Sequence, residues 1–461
     1  MAALMTVGEL ARVLTASAIP TEMEGDGRAA FSSVSTDSRT LSAGSLFVAL
    51  SGERFDGHDY VARASQNGAS AALVKRRVAV DVPQLVVADS KRALGIGAGV
   101  WRSRFSLPVI AVAGSNGKTT VTQMIASILA AEYGEKNRLA TQGNLNNDIG
   151  VPLMLWQLSK QHRAAVFELG MNHPGEIAYL AQLVHPTVAL VNNAQREHQE
   201  FMQSVEATAH ENGETLAALS DNGVAVFPAD DACASIWRQL AGTRRVIDFA
   251  LKAYAVVTAT FQTANDGVRI SMATPYGVIN VRLTVGGEHN VRNALAAAAC
   301  AIAADIGAEA IAAGLNAWQP VAGRGVKLSI NGYDVIDDTY NANPDSVRAA
   351  IDLLAGAPGP RVLVLGDMGE VGIRGPEFHR EVGLYARERG IEALFAVGSL
   401  MREAAQAFGS DAAHFDDIDA LIAALRPRLQ SGTTVLIKGS RFMQMERVVQ
   451  ALAARKMEPA H

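Results

Sequence analysis

A fully apolar pentapeptide, Val109 to Ala113, runs straight into Gly114-Ser115-Asn116-Gly117-Lys118-Thr119-Thr120, and a helical pattern follows from Thr119 to Ala131. An apolar run without polar alternation belongs in a strand buried on both faces, and such strands occur in parallel sheets covered by helices. The two glycines let the backbone curl until its N–H groups converge, and the start of the helix adds partial positive charge. Strand, glycine-lysine turn and helix in this order form an anion cradle fitted to a polyphosphate such as the tail of ATP. In that reading Lys118 neutralises the β- and γ-phosphates, and Thr119 offers its hydroxyl to Mg²⁺. The first glycine of the longer form of this pattern is replaced by Val112.

The same α/β rhythm continues. Ala164 to Phe167 and Val188 to Val191 read as buried strands, as do Val335-Ile336, Val362 to Leu365, Leu394 to Val397 and Val435 to Ile437. Helical patterns at Val347 to Leu354 and Phe378 to Arg389 lie between the later ones. A chain of 461 residues has room for about three domains. The expected architecture is therefore α/β in three parts. Residues 1–107 form a smaller mixed α/β domain, 108–320 a central parallel-sheet P-loop domain, and 321–461 a Rossmann-like domain. The stretch from Val224 to Val285 reads as strands and turns and is given no chemistry.

Composition narrows the function classes. The formal charge of -5 argues against a nucleic-acid footprint, which needs clustered lysine and arginine. Two cysteines, Cys233 and Cys300, are too few for a disulfide framework and fit a reducing compartment. The N-terminal residues Met1 to Met5 lack the basic flank and apolar run of a signal peptide, and no stretch is apolar for long enough to span a bilayer. A cytoplasmic protein without membrane insertion, acting as a monomer, is the expectation.

A polyphosphate needs a divalent cation, and the cation needs oxygen ligands. Glu168 ends the Ala164 to Phe167 strand, at the edge where open α/β sheets collect ligands. His198 closes the polar run Asn192-Asn193-Ala194-Gln195-Arg196-Glu197-His198 after the next strand. It reads as a metal ligand, as a group orienting an acyl phosphate, or as a plain solvated histidine.

The turn, Glu168-Leu169-Gly170, His198 and Gly287-Glu288-His289-Asn290-Val291-Arg292-Asn293 together resemble the Mur ligase family in order and spacing. Thr36-Asp37-Ser38-Arg39, Gly143-Asn144-Leu145-Asn146-Asn147, Asp338-Thr339-Tyr340-Asn341-Ala342-Asn343-Pro344 and Leu365-Gly366-Asp367-Met368-Gly369-Glu370 narrow the likeness within it. The resemblance implies an ATP- and Mg²⁺-dependent amide ligase that joins D-alanyl-D-alanine to UDP-N-acetylmuramoyl-tripeptide through an acyl phosphate, in cell-wall precursor synthesis. It implies that Gly114 to Thr120 hold ATP, and that Thr119, Glu168 and His198 hold the metal. Asn290 and Asn293 would approach the adenine, Arg324 the phosphates and Asp338 the ribose, with Asn341 and Asn343 framing the adenine side. Lys118, His198 and Arg324 would carry the chemistry. Ser35, Arg39, Ser51 and Gly52 would lie near the uridine diphosphate, Asn144 and Asn147 near the muramoyl peptide, and Lys438, Ser440 and Arg441 near the incoming dipeptide.

One position departs from the pattern. Members of the family commonly carry a lysine about fourteen residues after the metal histidine, and its carbamylated form adds a carboxylate to the metal site. Here Glu211-Asn212-Gly213-Glu214 puts Asn212 there, and an amide cannot be carbamylated. Glu211 is the residue that could supply the missing charge. Other readings are a folylpolyglutamate-type ligase on the same scaffold, a P-loop switch that hydrolyses nucleotide, and a P-loop kinase.

Overall fold

The computed structural model describes residues 3–197, 199–264 and 267–454. Three parallel-dominated sheets follow one another along the chain. The first has five strands in the order Thr21–Glu24, Gln84–Val87, Ala71–Val74, Ser45–Val48 and Ser33–Ser35, with only the Thr21–Glu24 edge antiparallel. The second has six, all parallel: Arg245–Val246, Val224–Val226, Val188–Val191, Val109–Ala113, Ala164–Glu168 and Arg138–Ala140. The third also has six: Val326–Ile330, Tyr333–Asp338, Thr434–Lys438, Arg361–Gly366, Ala393–Val397 and Ala412–Phe415. Its Val326–Ile330 edge pairs antiparallel with Tyr333–Asp338 and the rest run parallel.

The Val109–Ala113 strand lies between two later strands, Ala164–Glu168 and Val188–Val191. The winding reverses there, and the crevice outside the carboxyl ends of such strands is where open sheets take ligands. All five of its residues are fully buried, as continuous apolar patterning requires. Helices Lys118–Tyr133, Glu288–Ala303 and Ala308–Ala317 share a core with one face of this sheet. Helix Glu288–Ala303 buries thirteen of its sixteen residues, because apolar groups surround it on all sides and its alanines allow close approach. Its outer side is covered by a four-stranded sheet of Phe249–Ala250, Val257–Ala264, Gly267–Thr274 and Gly277–Leu283. The 224–285 stretch is thus strands, as expected, with one added helix, Ala234–Ala241. Val268, Ile270 and Met272 alternate inward from its middle strand.

The first and second sheets belong to one continuous core. Helix Ser90–Arg102 packs on helices Gly150–Leu155 and Glu176–Val184. Trp156 stacks on Trp101 at 6.0 Å and meets Phe31 edge-on at 5.7 Å. A Cβ at Gly95 would stand 2.1 Å from Tyr179 Oη, and one at Gly97 would stand 2.9 Å from the Trp156 ring. The third sheet differs: its two faces carry separate cores, and among the described residues no buried apolar cluster joins it to the preceding chain.

Candidate active site

The glycine-lysine turn leaves the sheet with Gly114 at φ 133° and Gly117 at φ 81°, conformations that side-chain-bearing residues resist. A Cβ at Gly117 would also lie 2.5 Å from Asn293 Oδ1 and 2.8 Å from Asn192 Nδ2. Gly117 begins helix Lys118–Tyr133 with no side-chain cap, so the N–H groups of the first helical turn stay available to an anion. The turn is pinned from the next strand's exit. Ser115 N donates to Asn193 O at 3.1 Å, and Asn116 N donates to Asn193 Oδ1 at 2.8 Å. Lys118 Nζ donates to Gly114 O at 2.6 Å, Ser115 O at 3.1 Å and Glu197 Oε1 at 2.8 Å. A phosphate must therefore exchange with Glu197 to take the lysine's charge. Thr119 and Thr120 are mostly buried beside it.

Glu168 stands one strand over, in register with Val112. Its Oε1 accepts from Asn146 Nδ2 at 2.8 Å, and its buried Oε2 has no partner among the described residues. Leaving a buried carboxylate oxygen idle is costly. A cation there would satisfy it, so the idle oxygen of Glu168 fits a divalent metal. His198 lies outside the described residues. Asn212 is buried in helix Val205–Ala217, and its Oδ1 accepts the Gly114 N–H at 2.9 Å. Its oxygen thus anchors the turn. The reading of Glu211 as a substitute metal charge is corrected: its Oε1 accepts from Gly175 N at 2.9 Å and Ile177 N at 3.0 Å, capping helix Glu176–Val184.

A second group gathers at the carboxyl edge of the third sheet. Lys438, nearly fully buried, donates to Asp338 Oδ2 at 2.7 Å and to Asn341 O at 2.8 Å. Ser440 Oγ accepts from Gly369 N at 2.7 Å and donates to Ala342 O at 3.1 Å. Arg324 lies with its guanidinium carbon 3.9 Å from the Tyr340 ring centre, and its buried Nε lacks a partner among the described residues. Asn343 caps helix Pro344–Ala355 and meets the turn directly, its Nδ2 donating to Asn116 Oδ1 at 2.9 Å. Asn290 Nδ2 donates to Gly286 O at 2.8 Å, and Asn293 Oδ1 accepts from Asn192 Nδ2 at 3.1 Å under the turn.

The remaining residues are not gathered here. Ser35 ends the edge strand of the first sheet and Arg39 lies past it, where side-chain hydrogen bonds from Arg39 hold the Asp37 carboxyl down to about 2. Ser51 Oγ donates to Asp56 Oδ1 at 3.0 Å, and Gly52 lies under the Phe55 ring. Asn144 is exposed, and Asn147 Oδ1 caps the next helix by accepting from Gly150 N at 2.9 Å. Arg441 pairs with Glu446 at 3.0 Å on the surface. A cleft of about 870 Å³ opens between Glu200 and the Asp367–Gly372 loop, with Phe442 on its rim. Sequence reasoning missed Asn146, Asn193, Gln195, Arg196 and Glu197 as neighbours of the site. The signal for the last four was a run that is polar but for Ala194, at the end of a wholly apolar strand.

Three α/β units with a glycine-lysine turn at the switch point of the middle sheet define a protein of P-loop architecture. The chain matches the models of the Mur ligase family catalytic domain over residues 30–102, the Mur ligase middle domain over 112–301 and the Mur ligase glutamate ligase domain over 323–441. It is 42% identical to the UDP-N-acetylmuramoyl-tripeptide–D-alanyl-D-alanine ligase of Escherichia coli over 91% of this chain and 93% of that one. The chain belongs to the Mur ligase family. Among solved structures, MurF from Acinetobacter baumannii superposes with a TM-score of 0.91 at 34% identity, over 98% of this chain and 99% of that one. MurF from Thermotoga maritima, solved in complex with ADP, superposes with a TM-score of 0.81 at 26% identity, over 91% and 97%.

Proposed function

We propose that this chain is an ATP-dependent ligase that joins D-alanyl-D-alanine to UDP-N-acetylmuramoyl-tripeptide in peptidoglycan precursor synthesis. The observation that carries this reading is likeness over 91% of the chain to the Escherichia coli ligase of that reaction, with the glycine-lysine turn intact at the switch point. Residues 1–107 would hold the uridine end, 108–320 the nucleotide and 321–461 the dipeptide. No helix among the described residues is long and apolar enough to cross a membrane, which accords with work in the cytoplasm.

The peptide carboxylate attacks the γ-phosphate of ATP, giving an acyl phosphate and ADP. The amine of D-alanyl-D-alanine then attacks the activated carbonyl, loses its proton, and phosphate leaves. Two anions must meet in the first step, so positive charge is needed between them. Lys118 supplies it after exchanging Glu197 for phosphate, and Arg324 supplies it from the third unit through its idle Nε. Glu168, Thr119 and His198 would hold Mg²⁺, which when bound screens the phosphate charge. Glu168 Oε2 supports this assignment. Asn290, Asn293, Asp338, Asn341 and Asn343 would bound the nucleoside, and Ser440 and Arg441 the dipeptide. The region of the half-buried Ser35 and the exposed Arg39, Ser51 and Gly52 suits a soluble uridine diphosphate.

Phosphate release with UDP-muramoyl tripeptide and ATP tests the reading. Release should require D-alanyl-D-alanine and yield the pentapeptide product. Release without any amine acceptor would point to a nucleotide switch.

A further inference from the structure

The segment leaving the Val188–Val191 strand divides its side chains between two neighbours. Asn193, Gln195 and Glu197 serve the phosphate turn: Asn193 Oδ1 accepts from Asn116 N, Gln195 Oε1 accepts from Asn116 Nδ2, and Glu197 pairs with Lys118. Arg196, between the last two, serves the third unit. Its backbone N–H donates to Asp345 Oδ2 at 2.8 Å. Its guanidinium donates to Asp345 Oδ1 through Nη2 at 2.6 Å, and to Glu381 through Nη1 at 2.6 Å and Nη2 at 3.0 Å. Phe378 lies 5.3 Å beneath it. Asp345 sits in the first turn of the helix whose cap, Asn343, bonds Asn116. One helix start is thus held twice, once by the phosphate turn and once by the segment that pins that turn.

Among the described residues no apolar cluster joins these units, and ion pairs of partly buried groups return little net energy after desolvation. Such a seam sets orientation and can open, whereas a shared apolar core cannot open cheaply. Arginine suits the task because its planar fork serves two carboxylates at once. We propose that Arg196 is a positioning residue for ligation, clamping the third unit against the phosphate turn so that groups from both line one reaction space. This rests on the ligase reading above.

The test uses the full chain, with steady-state phosphate release and ADP affinity by calorimetry. Arg196→Ala should lose at least about tenfold in kcat while ADP affinity stays within about threefold, since the turn keeps its other partners. Arg196→Asp and Asp345→Arg should each show the same loss. Their combination should recover to within about threefold of wild type, because the relocated arginine would then face both the relocated aspartate and Glu381. Unchanged kcat in Arg196→Ala, ADP affinity falling in step with kcat, or a double variant no better than its singles would overturn the proposal. If thermal unfolding shows Arg196→Ala to be poorly folded, Glu381→Gln reads the same clamp. It should lose severalfold in kcat at constant ADP affinity, and unchanged kcat is again the overturning result. A wild-type chain that makes no amide would sink the ligase reading instead.

Discussion

Replacing Asn212 with leucine separates anchoring the phosphate turn from folding the protein. The two side chains share the same branched heavy-atom skeleton, so leucine keeps the outline of asparagine in helix Val205–Ala217. Two polar terms change with opposite sign. Gly114 N–H loses its acceptor at 2.9 Å and is left buried, at a cost of about 1–3 kcal/mol. Asn212 Nδ2, buried with no partner among the described residues, disappears, and a desolvation penalty of about 1–3 kcal/mol goes with it. Global stability should therefore stay within about 1 kcal/mol of wild type. Nucleotide binding has no such offset. A turn whose first glycine is unanchored must be ordered when the phosphates arrive, so about 1–2 kcal/mol, or roughly 5–30-fold in affinity, should be lost. Urea unfolding gives the first quantity and calorimetric titration with ADP the second. An ADP affinity within twofold of wild type would refute the reasoning, because the Gly114 contact would then be incidental.

Three further outcomes are expected. Bicarbonate should leave the ligation rate unchanged, since Asn212 offers no amine to carbamylate; strong stimulation in a rate assay would show that Asn212 does not stand in the lysine's place. Glu168→Gln should cut kcat by about a hundredfold and raise the Mg²⁺ concentration needed for half-maximal rate, because a neutral amide replaces the carboxylate with the idle oxygen; an unchanged Mg²⁺ titration would remove Glu168 from the metal. Glu197→Gln should tighten ADP binding by about threefold or more, since phosphate no longer displaces a carboxylate from Lys118; weaker binding by calorimetry would show that Glu197 helps to hold the nucleotide.

The strands that build the site were legible because they are apolar throughout, and that pattern has one common home. The turn was legible because glycine, lysine and threonine at that spacing serve one chemistry. Glu168 could be read from its place at a strand end. Arg196 and Glu197 could not: the sequence shows polar residues after a strand, and how the segment lies in space sends Glu197 back to Lys118 and Arg196 to a helix far along the chain, at Asp345. Asn212 stands out in the sequence as a missing lysine, but its tie to Gly114 depends on how helix Val205–Ala217 lies against the turn. Glu211 shows the converse. A carboxylate near a metal site in sequence faces another helix's first turn in space, because the helical period carries neighbouring side chains to different sides.

Phe31, Trp101 and Trp156 interlock across the junction between the first two sheets, so heat should melt everything before about residue 318 as a single cooperative block. The third sheet, wrapped around cores of its own, is free to melt at a different temperature. Anyone grafting the N-terminal sheet from a relative would have to carry over the glycine face at Gly95 and Gly97 that admits Tyr179 and Trp156. Grafting the C-terminal sheet asks that a few charges, and the Asn343–Asn116 amide pair, still find their opposites.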